Sequence, residues 1–154
     1  MHADQALLLE MIDSAYNRKG WHGTTLRGSL RGLQPDVALW RPAPDRRNVW
    51  EVAVHAAYWK YVVWRRLTGN KRGSFALKGS NWFPSPEAAD IPALVQLLDS
   101  EHERLRAAIA ALPALPASGP KRAMLHGIAA HDLYHTGQIQ LLKRLAGSVL
   151  SPES

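Results

Sequence analysis

The chain has 154 residues, 46% of them hydrophobic and 21% charged, which is the size and composition of one globular domain and excludes wholesale disorder. It contains no cysteine, so a disulfide scaffold, a thiolate zinc site and a cysteine nucleophile are excluded, and any thiol chemistry needs a thiol from outside. Lys and Arg outnumber Asp and Glu by 19 to 13, a formal charge of +6, but the basic residues are scattered singly and in pairs such as Arg46-Arg47 and Lys121-Arg122. This pattern predicts a solvated basic surface and no nucleic-acid partner. No apolar run approaches the ~18 residues of a membrane span, and the N-terminal stretch lacks a basic region and is broken by Glu10 and Asp13. The expectation is a cytoplasmic protein without signal peptide or membrane partner.

Long helices avoid interior proline, so the proline-free windows 1–34, 45–83, 93–112 and 121–151 predict four helices. The first is expected over about 3–33, interrupted near 18–23 by Gly20-Trp21-His22-Gly23, with Leu26, Leu30 and Leu33 resuming the helical spacing. The second spans about 47–68 and stops at Gly69-Asn70. The third spans about 90–112, with Asp90 as N-cap and Pro92 in the first turn. The fourth spans about 121–146 and stops at Gly147. The connections are 34–46, 69–89 and 113–120. The middle one is long enough to cross over, so that helices two and three run parallel. No strand-like alternation and no internal repeat is visible. The predicted fold is all-α, a four-helix bundle with a long connection between helices two and three. A single domain covers 1–147, and 148–154 form a C-terminal tail.

Seven histidines are the unusual chemical feature. His131 and His135 stand one helical turn apart on one face, a spacing that lets two imidazoles share a metal. At about 100° per residue, Met124, Ile128, Gln138, Leu142 and Leu145 all fall within about 60° of His131, so this polar group interrupts a core-facing stripe. Burying such groups without partners is costly. His55 lies on an apolar face of helix two with Val52, Trp59 and Val62, flanked by Glu51. His102 lies on the stripe of helix three, between Leu98 and Leu105, as a hydrogen-bonded core histidine. Tyr58 and Trp59 read as core aromatics. His126 points away from His131 and is expected to be exposed, His2 is terminal, and His22 lies in the glycine-flanked break. On residue spacing alone, a metal site and a polar core patch bonded to Gln138 and water both remain open.

The run Leu133-Tyr134-His135-Thr136-Gly137-Gln138-Ile139, preceded by His131, resembles the final-helix motif of the DinB superfamily. Asn48-Val49-Trp50-Glu51-Val52-Ala53-Val54-His55 resembles its second helix, and Leu39-Trp40-Arg41-Pro42-Ala43-Pro44 the entry into it. The resemblance covers roughly 1–147, and the Gly20–Gly23 segment is a departure from the pattern. It implies a four-helix bundle in which His55, His131 and His135 bind a divalent metal, and helical position leads us to expect Glu51, Trp59, His102 and Gln138 around them. Zinc or nickel is the expected cofactor, although imidazole suits copper and iron as well. The resemblance further implies a transferase that uses a low-molecular-weight bacterial thiol and a small-molecule substrate. A metal-dependent hydrolase with Glu51 as general base is the second reading, and a non-catalytic, stress-related metal- or ligand-binding module the third. No catalytic residue is assigned. Six tryptophans exceed what one small core needs, and with the resemblance they imply a homodimer.

Overall fold

A computed structural model describes residues 2–151. Among these the chain is all-helical: α1 (Ala3–Tyr16), α2 (Leu26–Ser29), α3 (Pro35–Leu39), α4 (Val49–Thr68), α5 (Ile91–Ala110) and α6 (Gly119–Leu150). Helix α4 packs against α5 and α6, and α1 packs against the same two. No described helix is long and apolar enough to cross a membrane.

The long helices begin and end for local reasons. In α4 the Asn48 side chain accepts the Glu51 N–H at 2.8 Å while Glu51 reaches back to the Asn48 N–H at 3.3 Å, a reciprocal cap. Gly69 ends the same helix at φ 73°, a left-handed position that favours glycine. Asp90 caps α5 by accepting the Ala93 N–H at 3.0 Å.

Three helix boundaries differ from expectation. The first helix does not resume as a long element after the Gly20–Gly23 break. Gly20 and Gly23 pair across a tight turn, and His22 folds back so that its Nε2 lies 3.0 Å from the Ser14 carbonyl. A Cβ on Gly20 would displace that imidazole, so the folded-back position of His22 is matched to a glycine there. The next helical element is the single turn α2, capped by Thr25 Oγ1 accepting from the Gly28 N–H. Leu26, Leu30 and Leu33 are buried as the spacing implied, but they are delivered by turns. The second difference is α3, which lies inside the expected connection 34–46. Pro35 opens that helix, where its missing N–H is harmless, so here a proline marks a start and not a separation. The third is the end of α6. Gly147 does not stop the helix: its carbonyl accepts the Ser151 N–H at 3.2 Å and the ladder continues to Leu150. Residues 148–150 of the expected tail are therefore helical, and 152–154 lie outside the described residues.

Residues 69–90 contain no helix, yet they are anchored by burial of Phe83 and by Phe75, Leu77 and Trp82 packing on the core. The core has two apolar clusters, one around Tyr58, Tyr61, Leu98 and Ile139, the other around Ile12, Leu105, Ile109 and Ile128. Polar groups lie buried beside them. Lys60 of α4 donates to Asp132 of α6, and both side chains are fully buried. The Lys60 ammonium also sits 4.8 Å over the Tyr16 ring. Tyr16 in turn stacks on His102 at 4.0 Å and donates to Asp99 at 2.5 Å.

An uncompensated buried charge is far more harmful than a missing pair. Lys60→Met should therefore lower unfolding stability by roughly 3–5 kcal/mol, by leaving the Asp132 carboxylate without its cation. The double variant Lys60→Met/Asp132→Leu should recover much of that loss. Urea unfolding of the three proteins checks this, and a double variant less stable than the single one contradicts it.

Candidate metal centre

The reciprocal cap fixes the start of α4, and His55 comes next among Val52, Ala53, Val54 and Ala56, all buried. His131 and His135 share one face of α6, opposite His55. The His131 Nε2 lies 3.3 Å from His55 Nε2 and 3.1 Å from His135 Nε2. One ring nitrogen from each of the three histidines lies within 4.8 Å of the others.

The outward nitrogens decide what the inward ones can be. His55 Nδ1 donates to the Asn81 carbonyl at 2.8 Å, and His135 Nδ1 donates to Gln138 Oε1 at 2.7 Å. A neutral imidazole has one N–H and one lone pair, so both of these rings turn a lone pair inward. His131 has a single N–H to offer and its Nδ1 is buried without a partner. Protonated on Nε2 it can satisfy only one of the two inward lone pairs, and protonated on Nδ1 it satisfies neither and buries that N–H without an acceptor. A cation at the point of convergence takes up all three inward lone pairs, and neutral nitrogen donors, here backed by carbonyl acceptors at His55 and His135, are the donor set that zinc and similar ions take. The residues present fit a divalent metal.

A family model described as the DinB superfamily matches residues 20–139. The chain belongs to the DinB superfamily. The matched segment contains all three histidines and the motifs around them. No curated protein and no solved structure gives a match to the chain.

The expected neighbours of this DinB centre divide into two groups. Gln138 is bonded to His135. Trp59 stands edge-on to His55 and His131, with ring centres 6.3 and 6.2 Å away. Glu51 and His102 are engaged elsewhere. The Glu51 carboxylate receives Arg41 at 2.6 and 2.8 Å as well as the Asn48 N–H. Burial would raise its pKa, but the bonds from Arg41 and Asn48 and the charges of Arg41 and Arg47 hold it below the usual range. Glu51 thus serves the helix cap and an ion pair, and is not placed to act as the general base. The His102 Nε2 bonds to Asp13 at 3.1 Å, and Arg106 holds the same carboxylate at 3.0 Å. His102 is a core histidine of the α1–α5 contact. His126 and His2 are exposed.

Two residues that pattern reading passed over complete the DinB centre. Asn81 has φ 63°, a left-handed backbone that asparagine tolerates better than most residues. That conformation accompanies the two bonds it makes, its carbonyl to His55 and its Oδ1 to Trp59 Nε1 at 3.0 Å. Trp82 stacks flat on His55 at 3.9 Å and 8°. The only trace of either in the sequence is an Asn-Trp pair in a glycine- and proline-rich stretch.

Burial lowers the pKa of all three imidazoles. For His55 it outweighs the Asn81 carbonyl and, with the charges of His135 and Arg47, brings the value to about 4. For His131 burial acts with His135, His55 and Lys60 and brings it to about 3. His135 is lowered by burial against the opposing bond to Gln138. The rings are therefore neutral at pH 7, as ligation requires.

These depressed values fix the sign of the pH effect. In the unfolded chain the imidazoles protonate near 6.5, while the folded protein resists protonation down to about 4 at His55 and about 3 at His131. The stability they contribute is complete above pH 6.5 and is lost progressively as pH falls through that window. The urea midpoint of metal-free protein should thus decline between about pH 7 and about pH 4.5. The variant His131→Leu should show a shallower decline, and parallel curves for the two proteins would contradict the assignment.

Proposed function

We propose that His55, His131 and His135 hold one divalent cation, zinc or nickel, and that the protein is a metal-dependent transferase with a low-molecular-weight thiol as cosubstrate. The observation that carries this reading is the convergence of three neutral imidazoles, whose single spare N–H cannot satisfy all of the inward lone pairs, in a chain of the DinB superfamily. Held by these three imidazoles, a divalent cation would supply Lewis acidity that lowers the pKa of a thiol or water. Asn81 and Gln138 orient two of the ligand rings and fix their tautomers. The chain has no cysteine, so the nucleophilic sulfur comes from the cosubstrate. A cleft of about 370 Å³ that reaches His135 and Gln138 gives an organic substrate room beside the centre. A hydrolase would need a base other than Glu51, whose carboxylate is held by Arg41.

In this reading α1, α4, α5 and α6 form a DinB-like four-helix bundle with residues 69–90 crossing along it. Its solution form is a homodimer, for which Leu145 and Val149 on α6 and the fully exposed Trp21 offer apolar surface.

Two measurements test the proposal. Zinc titration against a competing chelator should show tight binding lost in His55→Ala, His131→Ala and His135→Ala and kept in His126→Ala. Gln138→Ala should bind roughly 10–100-fold more weakly. Equal retention by His126→Ala and His131→Ala rejects the ligand set. The metal-loaded protein is then incubated with 1-chloro-2,4-dinitrobenzene, with and without cysteine as the added thiol. Accelerated formation of the thioether, with release of chloride, supports the transferase. A thiol-independent product points to hydrolysis, and absence of any product to a binding module.

A further inference from the structure

The cleft beside the histidines has a composition of its own. Val52, Leu141, Leu142 and Trp82 give it apolar walls, and no acidic side chain lines it. Its charged lining consists of Arg46 and Arg47. These two arginines are not equivalent. Arg46 is paired with Asp45 at 2.9 Å, and both side chains are largely exposed. Arg47 makes no side-chain hydrogen bond among the described residues. Its nearest carboxylate oxygen, on Glu51, lies 3.9 Å away and belongs to a group already held by Arg41. The Arg47 guanidinium lies over the Trp82 ring at 4.4 Å, which orients a planar cation while leaving its N–H donors free.

We infer that this cleft binds an organic anion with a flat apolar body, and that Arg47 is the residue that recognises the anionic group. Trp82 links the two ends of the arrangement, since the indole that carries Arg47 also stacks on His55. An anion docked on Arg47 directs its apolar body past the Trp82 edge and along the leucines of α6, toward His135 and Gln138, which line the same cleft. A volume of about 370 Å³ takes a bicyclic aromatic ring and lies in the range of small-molecule sites. The inference rests on the metal-centre reading for the claim that this ligand is the substrate. The recognition itself is independent of the metal.

Calorimetric titration with naphthalene-2-sulfonate and with methyl 2-naphthyl sulfone, its neutral counterpart, separates charge from shape. The sulfonate should bind at least about 10-fold more tightly, because a charge-assisted bond to a guanidinium is among the stronger contacts available. Arg47→Gln should bring it to the level of the sulfone, Arg47→Lys should keep part of the preference, and Arg46→Gln should keep most of it. Leu141→Trp, at an exposed position on the cleft wall, should weaken both probes. Equal binding of the two probes by the unaltered protein overturns the inference, as does a preference that survives Arg47→Gln. Each titration is run with and without zinc. A preference seen only with zinc would assign the anion to the metal and also overturn it. A preference seen in both states supports it even where the separate zinc titration fails, so the two readings fail independently.

Discussion

The ion pair between Lys60 and Asp132 is the constraint on which the arrangement of α4 and α6 depends. Both groups are fully buried, so neither can turn to water, and each must find the other. The pair therefore sets which turn of α4 lies against which turn of α6. His55 precedes Lys60 on α4, and Asp132 adjoins His131 on α6. A slip of α6 by one turn, about 5.4 Å, would separate the imidazoles as surely as it would break the pair. Apolar packing alone tolerates substitution and small shifts, whereas a buried charge pair tolerates neither.

Onto this fixed pair of helices the irregular segment 69–90 adds the parts that helices cannot supply. Asn81 offers a free carbonyl to His55, and helix carbonyls are already engaged by their own ladder. Trp82 adds a flat surface against the same ring. The histidines come from rigid elements and their orientation from a loop, and burial of Phe83 holds that loop in place.

The same division separates what was legible in the sequence from what was not. Helix-borne features were readable: the stop at Gly69, the start at Asp90 and the shared face of His131 and His135. Periodicity fixes which residues share a face, and capping chemistry is local. Helical position alone did not give the partners of Glu51 and His102. Helical angle gives a side chain's azimuth but not its partner. Glu51 lies at a suitable angle to His55, yet it turns back to its own helix start and to Arg41. His102 faces the core, yet Asp13 lies within reach and the metal-site histidines do not contact it. The boundaries that failed did so because one residue type has two meanings. Pro35 opens a helix, and Gly147 continues one. Asn81, Trp82 and Arg47 lie outside any periodic pattern, and only the folded chain brings them to His55.

The donor set of the centre is entirely imidazole nitrogen, in a chain without sulfur nucleophiles. Thiolate sites are vulnerable to oxidants, because their ligands climb to sulfenic and sulfinic acids and release the metal. Imidazole has no such ladder, and here the agent that competes for the lone pairs is the proton. Ligands of this kind are not converted to sulfenic or disulfide forms under peroxide and disulfide stress. Occupancy of such a centre is then governed by acidity, and not by thiol oxidation of its own side chains.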